Sequence, residues 1–142
     1  MSKTKDAAES AGLPYFRQAE QVAEAKYGGE TQVSFLNGQR VLNTTKGATR
    51  PDIIIKKGNH LEALEVKAYR FDSEESRRCL YKEIERQVSE RVTNLPKNST
   101  QRIVLYAQDR NYSSAIMNEV KNEIQERCLS IYGSKIPVDI IW

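Results

Sequence analysis

The chain has 142 residues, 39% hydrophobic and 29% charged, with 22 basic against 19 acidic side chains and a formal net charge of +3. That length supplies one hydrophobic core and hence one domain, and no run approaches the roughly 18 apolar residues of a membrane-spanning helix, so no membrane role is expected. The mild positive charge permits a polyanionic partner but lacks the strong basic excess of a dedicated non-specific nucleic-acid binder.

Met1 to Gly12 reads as a polar lead-in, because no basic stretch is followed there by an apolar run and a small-residue cleavage site; the domain is expected over 13–142. From Pro14 to Tyr27, apolar residues recur at Tyr15, Ala19, Val22, Ala23 and Tyr27, three to four apart, and Gly28-Gly29 ends the pattern, which predicts a helix. The runs TQVSFL and QRVLNTT flank Asn37-Gly38, the pair that most readily adopts the positive φ angles of a two-residue hairpin turn. Asp52 leads into the apolar run Ile53 to Ile55, Lys56 to Asn59 reads as a turn, and LEALEVKAY follows as the second arm of another hairpin. Leu80, Ile84, Val88 and Val92 mark a helix from about Ser73 to Asn94, with Asp72 and Glu75 offering a capping pair and Asn94-Leu95-Pro96 closing it. RIVLYA reads as a short buried strand, Ser113 to Tyr132 as a helix with Ile116, Val120, Ile124 and Leu129 towards one side, and IPVDIIW as a final strand.

Antiparallel hairpins followed by strand-helix-strand units predict an α/β fold, a mixed central sheet flanked by helices, in the order αβββ(β)αβαβ. No fixed-period repeat, low-complexity tract or internal linker interrupts it. Cys79 and Cys128 fall in the helical stretches without a CxxC or Cys/His partner at metal-ligand spacing, and read as ordinary reduced thiols.

The chemistry concentrates in Arg50-Pro51-Asp52-Ile53-Ile54-Ile55 and, one hairpin later, Leu64-Glu65-Val66-Lys67. Side chains alternate along a strand, so Glu65 and Lys67 share one face while Val66 points to the other. Antiparallel pairing around the intervening turn brings Asp52 at the start of one strand beside Glu65 and Lys67 near the end of its partner. Two carboxylates suit a hard cation such as Mg²⁺, which takes oxygen ligands and keeps several waters, and Mn²⁺ or Zn²⁺ are alternatives. A metal on Asp52 and Glu65 would polarise a phosphate and acidify a bound water, and Lys67 would hold that water or stabilise negative charge on the phosphate. His60, the one histidine, falls in the Gly58-Asn59-His60 turn without partners for base or zinc chemistry and reads as a solvated turn residue. No nucleophile elbow and no P-loop is present. Tyr69 and Arg70, just past Lys67, would either line a substrate groove by stacking or phosphate contact, or simply end the strand.

Pro51-Asp52, twelve intervening residues and then Glu65-Val66-Lys67 resemble the motif of the PD-(D/E)XK nuclease superfamily. The resemblance implies a restriction-endonuclease-like αβββαβ core, a divalent-metal-dependent endonuclease, and an additional acidic residue on the first helix, here Glu20, or Glu24 one turn later. The stretches RPDIII, LEVKAY, the helix carrying Gln87 and Arg91, Asn94-Leu95-Pro96 and the strand ending near Asp109-Arg110 also resemble the C-terminal nuclease domains of bacterial contact-dependent growth inhibition and related polymorphic toxins. That likeness implies that Gln87 and Arg91 face the cleft, contacting substrate phosphate or bracing the metal site. It also implies cleavage of DNA or tRNA in a bacterial cytoplasm, delivery as the C-terminal part of a larger secreted protein, and a cognate immunity protein as partner. The rival readings are a non-catalytic nucleic-acid-binding module on the same fold and a protein-interaction domain. Against the first, two carboxylates beside a phosphate backbone repel it unless a cation intervenes.

Overall fold

A computed structural model describes residues 14–108 and 110–142; the expectations for Met1 to Gly12 and for Asp109 lie outside them. Helix α1 (Tyr15–Tyr27) buries Ala19, Val22 and Ala23. These pack on Ile53, Leu64, Val104, Tyr106 and Ile141, so α1 covers one face of the main sheet. The helix ends at Gly28, with φ of 70°. At Gly29, with φ of 88°, a Cβ would stand 2.6 Å from the carbonyl oxygen of Ile54, a distance no side chain tolerates. The approach this glycine permits lets Glu30 and Ile54 exchange two backbone hydrogen bonds, each 2.8 Å long.

Strands β1 (Ser34–Leu36) and β2 (Gln39–Val41) pair antiparallel around Asn37 and Gly38, whose φ angles of 49° and 83° are those the Asn-Gly pair predicts. The hairpin is shorter than the apolar runs suggest and forms its own two-stranded sheet. Val33 and Phe35 tie this region to the body by packing on Ile54, Ala63 and Leu95. In the four-stranded sheet, of order β3-β4-β5-β6, β3 (Ile53–Lys57) pairs antiparallel with β4 (His60–Lys67), while β5 (Ser99–Tyr106) and β6 (Val138–Ile141) continue parallel to β4. The turn between β3 and β4 is two residues, Gly58-Asn59, tighter than the four from Lys56 to Asn59, because Gly58 supplies a φ of 62°. His60 is therefore no solvated turn residue. It opens β4, and its Nε2 lies 2.8 Å from the Thr100 hydroxyl on the neighbouring strand.

Helices α2 (Glu74–Asn94) and α3 (Ser114–Tyr132) cover the opposite face, closing Leu80, Ile84, Val88, Met117, Val120, Ile124 and Cys128 over Ile103, Leu105 and Val138. The fold is thus α/β, with helices on both faces of a mixed sheet. Among the described residues no helix is long and apolar enough to cross a membrane.

Two details differ from expectation. The cap of α2 is Ser73, whose hydroxyl accepts from the Ser76 N–H at 3.3 Å, while Asp72 pairs with Arg70 at 3.2 Å. Ser73 rather than Asp72 holds the extended backbone of the residue just before the first turn, the position from which a side chain reaches the free N–H groups. Val92 and Leu129, expected on the buried stripes, are 53% and 52% exposed. At roughly 100° per residue, a residue twelve positions beyond the start of a stripe has rotated about 120° away, whereas one eleven beyond lies about 20° from it. Arg91, eleven past Leu80, and Cys128, eleven past Met117, therefore take the buried positions. Both cysteines are free, Cys79 exposed and Cys128 buried.

Candidate active site

The pairing of Ile53 with Leu64 sets Asp52 opposite Glu65, one step beyond the last rung of the β3–β4 ladder. The Val66 backbone N–H donates to Asp52 Oδ2 at 2.8 Å, fixing the carboxylate at the strand end. Leu64 and Val66 pack towards α1. Glu65 points the other way, where α2 brings Arg91: Nη1 of Arg91 stands 2.9 Å from Glu65 Oε1, and Lys67 Nζ stands 3.2 Å from Oε2. The side chains of Glu65, Lys67 and Arg91 are each no more than 7% exposed. Glu65 Oε1 makes no hydrogen bond despite the short contact, so Arg91 meets it as a charge. Removal from water strengthens both attractions and makes each of the three groups dependent on the others.

Arg91 is itself aimed by Thr49, whose hydroxyl accepts from Nε at 3.3 Å. Thr49 is buried, and its backbone exchanges two 2.9 Å hydrogen bonds with Phe35. The order of support therefore runs from the β1 strand through Thr49 and Arg91 to one oxygen of Glu65.

The Asp52 carboxyl is pushed up to about 7 by burial first and the Glu65 charge second; Glu20 adds to this, while the Val66 hydrogen bond and Arg91 oppose it. Glu20 is also raised, mainly by burial, with Arg17 working against the rise. Asp52, Glu65, Glu20 and Glu24 line one cleft of about 520 Å³ between α1 and the loops at Thr31-Gln32 and Arg50-Pro51. Phe16, Arg17 and Gln21 complete the α1 wall. Arg17 stands 3.6 Å from Glu20, and Arg50 donates to Gln32 at 3.1 Å.

Of the residues singled out in the sequence, the fold gathers Asp52, Glu65 and Glu20 in this cleft, with Lys67 and Arg91 bound to Glu65 behind it. Arg91 is thereby a brace for Glu65, its guanidinium committed to Glu65 and Thr49. Gln87 and Tyr69 do not line the cleft. Gln87 Oε1 is buried without a hydrogen-bond partner, and Tyr69 lies with its ring 6.0 Å from Lys67 Nζ. Arg70 is committed to Asp72 on the surface. Sequence reasoning missed Thr49, which sits in a featureless KGATRP loop, and the rim cation Arg17, and it singled out the segment opening at Arg50 without giving Arg50 itself a role.

Asp52 and Glu65 stand opposite each other at the strand end and are oxygen donors of the kind a hard cation takes, but both Glu65 oxygens are met by cations, Oε1 by Arg91 and Oε2 by Lys67. A carboxyl raised first by burial and then by a neighbouring carboxylate is one whose charge a bound cation would favour. Among the described residues no group of three or more His, Cys, Asp or Glu side chains is gathered for a metal. A second charged cluster, Glu62, Arg102, Asp139 and Tyr27, lies nearer the start of β4 and is internally paired: Arg102 bridges the two acids at 3.3 and 3.0 Å, and the Tyr27 hydroxyl donates to Asp139 at 2.5 Å. It contributes to the fold rather than to the cleft.

No family model matches the chain, and comparison with curated proteins and with solved structures likewise gave no match.

Proposed function

We propose that the chain is a divalent-metal-dependent nuclease hydrolysing phosphodiester bonds, with Asp52 and Glu65 as the metal-binding pair and Lys67 as the catalytic cation. The observation that carries this reading is the pairing of Asp52 with Glu65 in a polar cleft, where the Asp52 carboxyl is pushed up to about 7 and Lys67 stands 3.2 Å from Glu65. When bound, Mg²⁺ or a similar ion such as Mn²⁺ or Zn²⁺ supplies Lewis-acid polarisation of the phosphate and a water that ionises more easily. Glu65, gripped through one oxygen by Arg91 and through the other by Lys67, is held in a fixed orientation towards Asp52. Lys67, bound to Glu65 behind the cleft lining, would stabilise negative charge developing on the phosphate once a cation on Glu65 had freed it. Glu20 extends the acidic lining, and Arg17 and Arg50 at the rim offset its repulsion of the substrate backbone.

The toxin reading, with DNA or tRNA as substrate, action in a bacterial cytoplasm and a cognate immunity protein, rests on the likeness of RPDIII and LEVKAY to polymorphic-toxin nucleases. The non-cutting binding module is favoured by one observation, that Glu65 is already neutralised by two cations. Incubating the protein with plasmid DNA and with tRNA, each with Mg²⁺, Mn²⁺ or Zn²⁺ and with EDTA, separates the two. Cleavage that needs metal and disappears in folded Asp52→Asn and Lys67→Ala variants is the expected result. Binding without cleavage under every metal would put the binding module in its place.

A further inference from the structure

Phe16 is 55% exposed at the start of α1, and it lines the same cleft as the carboxylates. Phe16, Glu20 and Glu24 are spaced four residues apart, so they form one stripe along the helix, with Phe16 about 6 Å along the axis from Glu20. The Arg17 guanidinium lies 5.5 Å from the Phe16 ring centroid. Arg17 and Arg50 are both exposed at the rim, on opposite walls. An apolar ring kept in water at the mouth of an acidic, otherwise polar cleft contributes nothing to the core, since the buried side of α1 is Ala19, Val22 and Ala23. It has the form of a stacking platform beside a phosphate track.

We propose that the substrate is an unpaired strand, with the base next to the phosphate at Asp52 and Glu65 stacked on Phe16 and its backbone held between Arg17 and Arg50. The inference rests on the nuclease reading of the cleft and names the substrate class for it. A base within a duplex has both π faces covered by its neighbours, and Phe16 then meets only an edge. An unpaired base offers a whole face, and such stacking is sequence-tolerant and strengthens binding several-fold to a hundred-fold per base. A cleft of about 520 Å³ has room for a nucleotide or two within it.

The test measures binding by fluorescence anisotropy with a labelled twelve-nucleotide oligodeoxythymidylate, its ribo counterpart and a hairpin duplex of equal length. It uses the Asp52→Asn protein, so that nothing is cut, carrying Phe16, Phe16→Ala, Phe16→Leu or Phe16→Tyr. The expected result is tighter binding of the unpaired strands than of the duplex. Phe16→Ala and Phe16→Leu should weaken unpaired-strand binding roughly ten-fold, Phe16→Tyr should leave it unchanged, and duplex binding should move less than two-fold. Equal affinity for duplex and unpaired strand, or a leucine that serves as well as phenylalanine, overturns the inference. Cleavage assays on the protein with intact Asp52 separate the two levels. Metal-dependent cutting that is indifferent to Phe16 and to strandedness leaves the nuclease reading standing without this one. Phe16-dependent binding of unpaired strands with no cutting under any metal removes the nuclease and with it the word substrate, keeping only the stacking of an unpaired base on Phe16. Failure of every nucleic acid to bind removes both.

Discussion

Substituting Asp52 by asparagine keeps the shape of the side chain and an oxygen to accept the Val66 N–H, while removing the charge that burial and Glu65 disfavour. The size of the effect follows from linkage. The carboxyl of Asp52 moves from 3.8 to about 7 on folding, so between those values the folded chain holds a proton that the unfolded chain has released. Stability therefore falls as pH rises through that window, by at most ~1.4 kcal/mol per pH unit, and the full cost of about 4 kcal/mol is present above pH 7 and absent below about pH 4. The asparagine of the variant does not titrate. In metal-free buffer the variant should exceed the wild type by about 2–4 kcal/mol at pH 8, on the order of 10 °C in Tm, and lie within about 1 kcal/mol of it at pH 4. Urea denaturation of both proteins at several pH values gives the difference directly. A wild-type-minus-variant difference that is the same at pH 4 and pH 8 would refute the argument, since it would mean that Asp52 is as easily ionised in the fold as in water.

The same proton links to metal and to activity: Mg²⁺ should stabilise the wild type more at pH 8 than at pH 5, fail to stabilise Asp52→Asn, and support cleavage that rises as pH passes about 7, all readable from melting curves and initial rates. Arg91→Ala leaves Glu65 in a buried site with one cation fewer and should cost about 3–5 kcal/mol, whereas Thr49→Val, which removes only the aim of Arg91, should cost about 1 kcal/mol in denaturant unfolding. Gly29→Ala meets both a positive φ and the Ile54 carbonyl, and a loss of about 2 kcal/mol or more is expected in the same measurement. Leu129→Glu should change stability by less than about 0.5 kcal/mol and Cys128→Asp by several, and comparable costs for the two would contradict the helix phase described above.

What could be read from the sequence was what local chemistry decides. Asn37-Gly38 specifies its turn through the φ angles those two residues tolerate, and the Asp52–Glu65 convergence follows from strand alternation and one hairpin. The helices were legible as helices, but extrapolating four-residue spacing puts Val92 on the inside, because the rotational error grows by about 40° with each step, and the five-residue step from Ile124 to Leu129 turns about 140° away at once. Arg91 illustrates the other limit. A charged residue on a buried stripe has a reason only once its partner is known, and that partner, Glu65, lies on a strand far away in the chain. Thr49 carried no pattern of any kind: its value comes wholly from the hydrogen bond to Arg91. Counting His60 with the Gly58-Asn59 turn misplaces it by one residue at the start of β4, enough to decide whether a residue faces water or a neighbouring strand.

The two hydrogen bonds between Glu30 and Ile54 have a consequence for the chain among other chains. β3 is the antiparallel border of the main sheet, and a bare strand border is a template on which a second molecule can extend the sheet. A single residue laid along it at Ile54, with charged Glu30, Arg40 and Lys56 gathered over the spot, occupies the donor and acceptor near the start of that border and shortens the run left for an incoming strand. Gly29, by permitting that approach, thus helps to cover the border, and Gly29 variants should show the loss as turbidity at concentrations where the parent chain stays clear.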